Sequence, residues 1–123
     1  MVGSMTSFIF NVTFDCHDPE RLALFWSQVT GYRRLPLDPD TLDDEVIALE
    51  NPDRRGVRRL LFFKVPEPKA AKNRVHLDLA ATDPAAEIER LVGLGATRVR
   101  RLEHNGRSWT VMLDPEGNEF CIG

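Results

Sequence analysis

The pattern of this chain begins again partway along, and that restart limits its fold more than any other feature. Asp18-Pro19 recurs as Asp83-Pro84, an offset of 65 positions that also carries Asn11 onto His76. Asp accepts hydrogen bonds from free helix N–H groups, and Pro is pre-set for the first helical position. Each pair therefore opens a helix. Leu22, Phe25, Trp26 and Val29 form the apolar stripe of the first, which Gly31 ends. Ile88, Leu91 and Val92 form the stripe of the second, which Gly93 or Gly95 ends.

Strand-like runs surround both helices in the same order. Phe8 to Phe14 precedes the first helix, and Arg33 to Leu37, Glu45 to Glu50 and Val57 to Val65 come after it. Arg74 to Ala80 alternates with period two before the second helix. Thr97 to Leu102, Ser108 to Leu113 and Glu119 to Ile122 come after that one, with turns at His104-Asn105-Gly106 and Asp114-Pro-Glu-Gly-Asn118. The chain is thus expected to be α+β, with two tandem βαβββ modules over about 8–65 and 74–122. The polar stretch 66–73 reads as a linker. Half a domain cannot bury its own sheet, so the halves are expected to pack about a pseudo-twofold axis within a single domain, 5–123. Met1 to Ser4, ahead of a second Met5, reads as a cloning remnant or an early alternative start.

Composition narrows the function. At 123 residues with 42% hydrophobic and 28% charged, the chain is an ordinary globular one, able to fold without disulfides. A net charge of −3 argues against a nucleic-acid surface. The longest apolar run, Leu60 to Phe63, is too short for a membrane span. Cys16 and Cys121 are too few for a disulfide framework and lack metal-finger spacing, which fits a reducing cytoplasm.

The module pattern resembles the vicinal oxygen chelate superfamily, which includes glyoxalase I, bleomycin-resistance and fosfomycin-resistance proteins and extradiol dioxygenases. The resemblance runs from Phe8 to Ile122. Its local marks are Asp18-Pro-Glu-Arg-Leu-Ala-Leu-Phe-Trp26 with Gly31, Asn73-Arg-Val-His-Leu-Asp78, Leu94-Gly-Ala96 and, most specific, Asp114-Pro-Glu-Gly-Asn-Glu-Phe120. It implies a curved, cup-shaped sheet with helices outside and ligands inside, and pairing of two chains into a homodimer. Strand parity then places Asn11, Thr13, His76, Asp78 and Cys121 on the inward face, with Trp109 and Arg74 as further candidates for the wall.

Metal-dependent members of that superfamily resemble one another at up to four inward positions: His early in the first and fifth strands, a carboxylate in the fourth and Glu in the last. Here these positions read Asn11, His76, no carboxylate among Leu60 to Phe63, and Cys121. One imidazole and a conditional thiolate fall short of the three protein ligands of a catalytic zinc. No cofactor is therefore expected, and His76 would be the ligand if a metal bound.

Two functions lead, ahead of a structural or regulatory partner domain, for which only the incomplete ligand set speaks. One is a module that binds a small organic molecule through Asn11, Thr13, Arg74, His76, Asp78, Trp109 and Cys121. The other is a glyoxalase-type lyase or isomerase, with or without a metal, with His76 as base and Asp78 or Cys121 nearby. Trp26 reads as core, Asp15 as a surface or capping group, and Arg54, Arg55, Arg58 and Arg59 as a solvated basic face, with an anionic ligand or a dimer rim as the alternative.

Overall fold

Asp18 and Asp83 start two helices in the same way. Each is extended, at φ −127° and −130°, and each takes a backbone N–H three residues on with its Oδ1 at 3.2 Å, from Arg21 and Ala86 respectively. α1 spans Pro19–Thr30 and α2 spans Pro84–Leu94. Gly31 and Gly95 stop them in the left-handed region, at φ 79° and 119°, where a side chain would be strained. α2 is one residue shorter, so the offset between the modules falls from 65 to 64 behind it.

The computed structural model describes residues 6–36, 46–53 and 55–123. The expected ends of two strands at Leu37 and Glu45, the basic residue Arg54 and the leading residues 1–4 lie outside these. Two compact units emerge, Met1–Val65 and Pro66–Gly123. The first contains β1 (Asn11–Cys16), β2 (Arg33–Arg34), β3 (Val46–Glu50) and β4 (Arg59–Lys64) in the order β1-β4-β3-β2. The second contains β5 (Leu77–Leu79), β6 (Thr97–His104), β7 (Arg107–Leu113) and β8 (Glu119–Ile122) in the order β5-β8-β7-β6. In both sheets the first and last strands run parallel and the other pairs antiparallel.

The registers match row by row. Val12, Leu60, Leu49 and Arg34 stand side by side across the first sheet, and Leu77, Phe120, Met112 and Arg98 across the second. The repeat read from the sequence is therefore present in the hydrogen-bond ladders of each unit.

Each sheet buries one face under its own helix. Leu22, Phe25 and Trp26 of α1 are buried with Ile47, Leu49, Leu60 and Phe62, and Phe14 stacks on Phe62 at 5.1 Å between ring centroids. Trp26 is core, as expected. Ile88 and Leu91 of α2 are buried in the second unit with Met112, Phe120 and Ile122. Val92, expected on the same stripe, is exposed: the buried stripe of this shorter helix closes with Ile88 and Leu91.

Three further expectations change. The first strand starts at Asn11, and Phe8, Ile9 and Phe10 precede it, exposed. The fifth is three residues long, so Arg74 and His76 stand ahead of it. The supposed linker is pinned: Glu119 of β8 pairs with Lys69 Nζ at 2.9 Å and accepts the Asn73 N–H at 2.8 Å. A polar, proline-containing stretch reads as free chain until the carboxylate that holds it is found.

Candidate functional site

The Asp114-Pro-Glu-Gly-Asn118 turn presents the last strand. Asp114 is buried, and its Oδ1 accepts the backbone N–H groups of Glu116 and Asn118 at 2.9 and 3.0 Å. The Asn118 side-chain amide donates to both carboxylate oxygens, and Gly117 supplies the positive φ of 83°. This is an Asx-type turn that reverses the chain between β7 and β8. The most specific motif of the sequence therefore sets the hairpin, and the strand that leaves it carries Cys121.

β8 runs parallel to β5 with Asp78 beside Cys121, and antiparallel to β7 with Val111 beside Cys121. Neighbours across a ladder share a face. Asp78, Cys121 and Val111 thus lie on the face turned away from α2, and Trp109, two residues before Val111, shares it. His76 reaches the same place: its Nε2 stands 3.3 Å from Asp78 Oδ1. The ligand atoms of His76, Asp78 and Cys121 all lie within 4.8 Å of one another. Asp78 and His76 are exposed and Cys121 is buried, so the cluster has an ionisable rim and a thiol floor. Burial pushes the Cys121 thiol up, the Asp78 carboxylate adds to this, and Lys72 partly offsets it.

The sequence candidates thus divide by module. His76, Asp78 and Cys121 are brought together, with Trp109 on the same sheet face. Arg74 is exposed ahead of β5. Asn11 and Thr13 occupy the equivalent face of the first sheet, opposite Arg59 and Leu61 in the β1–β4 ladder. Asn11 Oδ1 and Arg59 Nε are both buried without a hydrogen-bond partner there. The basic face is largely paired: Arg58 and Arg59 reach Glu50 at 3.4 and 3.6 Å, and Arg55 reaches Asp53 at 3.9 Å. Asp15 is exposed on β1.

Position by position, the chain offers two conditional metal donors, His76 and Cys121; the fold adds Asp78 as a third. The number matches a catalytic zinc, whose ligands bind deprotonated. Burial and Asp78 both raise the Cys121 thiol, so a bound metal would have to displace its proton, which makes binding pH-dependent. An oxygen-rich octahedral ion fits less well, with a single carboxylate in the cluster. The first sheet adds no comparable donor: Asn11 offers an amide, and Leu60 to Phe63 no carboxylate.

Sequence reasoning missed the tie from Glu119 to Lys69 and Asn73, for which no local pattern exists. Among the described residues no helix is long and apolar enough to cross a membrane.

Residues 11–123 match the family model of the glyoxalase-like domain. None of the curated proteins matches the chain. Solved structures share its fold. A glyoxalase/bleomycin resistance protein/dioxygenase family enzyme from Burkholderia phytofirmans PsJN superposes with a TM-score of 0.70 at 19% identity, covering 91% of this chain and 94% of that one. The fosfomycin resistance protein FosX from Mesorhizobium loti gives 0.70 at 19% identity, covering 96% and 91%. Lactoylglutathione lyase from Agrobacterium tumefaciens gives 0.64 at 18% identity, covering 98% and 95%.

Proposed function

The chain belongs to the glyoxalase-like domain family, and from that premise we propose that it binds a small organic molecule on the open face of its second sheet, without a resident metal. The observation that carries this reading is the cluster of His76, Asp78 and Cys121, whose ligand atoms lie within 4.8 Å of one another, with Trp109 on the adjacent strand β7. Small-molecule sites combine apolar surface with a few placed polar groups. Cys121, Val111 and Trp109 supply the former, and His76, Asp78 and, ahead of the strand, Arg74 the latter. The neighbours carry names for resistance proteins and a lyase alike, and Asn11 in the first position with no carboxylate among Leu60 to Phe63 supports binding over metal-assisted chemistry.

The test has two parts. Elemental analysis of protein purified without chelator is expected to show no stoichiometric metal. A fragment screen read by NMR is expected to find ligands that shift Asp78 and Cys121, with His76→Ala weakening them about tenfold, the cost of one good polar contact. Stoichiometric zinc, nickel, manganese or iron lost on His76→Ala would overturn the metal-free reading.

A lyase or isomerase is the second reading, favoured by the 3.3 Å approach of His76 to Asp78. An imidazole that takes a proton from carbon next to a carbonyl becomes an imidazolium with a counter-ion in place. Loss of the α-C–H signal of an added hydroxyketone in D2O, abolished by His76→Ala, would establish that activity. The proposal also includes a homodimer and a reducing cytoplasm, in which Cys16 and Cys121 stay free thiols.

A further inference from the structure

The matched registers allow one module to be read as a reference for the other. Arg34 and Arg98 end equivalent rows, beside Leu49 and Met112 respectively. Both neighbours are buried, so both arginines stand on the helix-covered face of their sheets. In the first module the Arg34 guanidinium forks onto the Glu20 carboxylate of α1, with Nη1–Oε2 at 2.7 Å and Nη2–Oε1 at 2.8 Å. This two-pronged contact holds the Glu20 carboxyl below its usual range.

Glu20 lies two residues after the cap Asp18. Two residues after the cap Asp83 stands Ala85. The second module keeps the arginine and lacks the carboxylate. Among the described residues Arg98 makes no ion pair. A cleft opens beside the helix in both units. In the first it measures about 440 Å³ and is lined by Glu20, Arg34, Leu24 and Leu49 among others. In the second it measures about 420 Å³, with Ala85, Ile88, Arg98, Arg101, Thr110 and Ile122 in its lining.

We infer that the cleft between α2 and the β6–β7 edge is a binding site for a small organic monocarboxylate, which sets its carboxylate on Arg98 as Glu20 sets its own on Arg34. Ile88 and Ile122 supply an apolar floor for the rest of the molecule. Arg101 adds positive charge at the mouth, partly offset by its own ion pair with Glu103. Glu89, where the first cleft has Leu24, also lines the cleft and disfavours a second negative charge. Arg98 and Ile122 stand on the opposite face of the sheet from Asp78 and Cys121, but Trp109 also borders this cleft; His76→Ala, which tests the function proposed above, is expected to leave benzoate binding here unchanged, so the two readings fail separately.

An NMR titration of the whole chain with benzoate, benzyl alcohol and phenyl phosphate tests the inference. Benzoate is expected to shift the amides of Ala85, Ile88 and Arg98, and the uncharged alcohol to leave them in place. Arg98→Ala removes the fork, and Ala85→Glu supplies an internal carboxylate as in the first module; each is expected to weaken benzoate about tenfold or more. Glu20→Ala is expected to create a second benzoate site at Arg34. All three substitutions are at exposed positions, and a dispersed amide spectrum confirms that the variants fold. Four results would overturn the inference: no binding of benzoate, equal binding of benzoate and benzyl alcohol, unchanged affinity in both second-module variants, or tighter binding of phenyl phosphate, which would make the site one for phosphate.

Discussion

Cys121 shows how one residue's chemistry is set by its neighbours. Buried on β8 beside Asp78, its thiol is held above the ordinary value of 9.0 by burial and then by the carboxylate. Alkylation by iodoacetamide at about pH 7.5 should therefore be slower than for the unfolded chain, as read by mass spectrometry, because the thiolate is the nucleophile. Asp78→Asn should speed it by removing the second cause. Glu119 is the opposite case. Lys69 first, and the Asn73 N–H with it, hold its carboxyl below 4.5. A depressed acid contributes stability above its unfolded pKa and loses it as pH falls through the folded value. Glu119→Gln should thus cost about 1 kcal/mol at neutral pH in urea melts, and the gap to the parent protein should close as pH falls below 4.5 and through the lowered folded value. Neither behaviour is visible in the sequence, because both depend on residues far off along the chain.

At the scale of elements the sequence was largely sufficient. Capping, stripe and stop signals are local, and Asp18, Pro19 and Gly31, then Asp83, Pro84 and Gly95, each took their expected place. Asp83→Ala should remove one capping hydrogen bond and cost about 1 kcal/mol, and Asp18→Ala about the same; thermal melts of the two variants check this. Element ends were less legible. Phe8 to Phe10 has strand-like composition but precedes the ladder, since β4, its pairing partner, starts only at Arg59. The two-residue hairpin at Asn105-Gly106, with φ of 52° and 74°, is dictated directly by its residues. The irregularity between Arg98 and Arg100 is not, because a register shift is decided by the partner strand.

For the whole molecule, light scattering should give a homodimer mass, twice the 14.0 kDa of the chain; a monomer at all concentrations would remove that proposal. The sequence by itself determined the two βαβββ modules, their helices and the family, because periodicity, caps and turn residues act over a few positions and the repeat shows each of them twice. It also placed Asp78, His76 and Cys121 on one face through strand parity. Only the tertiary structure decided that their donor atoms converge, that Glu119 anchors a stretch with the composition of a linker, and that Arg98 lacks the partner Arg34 has. Convergence is a matter of register between strands far apart in the chain, and register is fixed by the packing of the sheet against its helix.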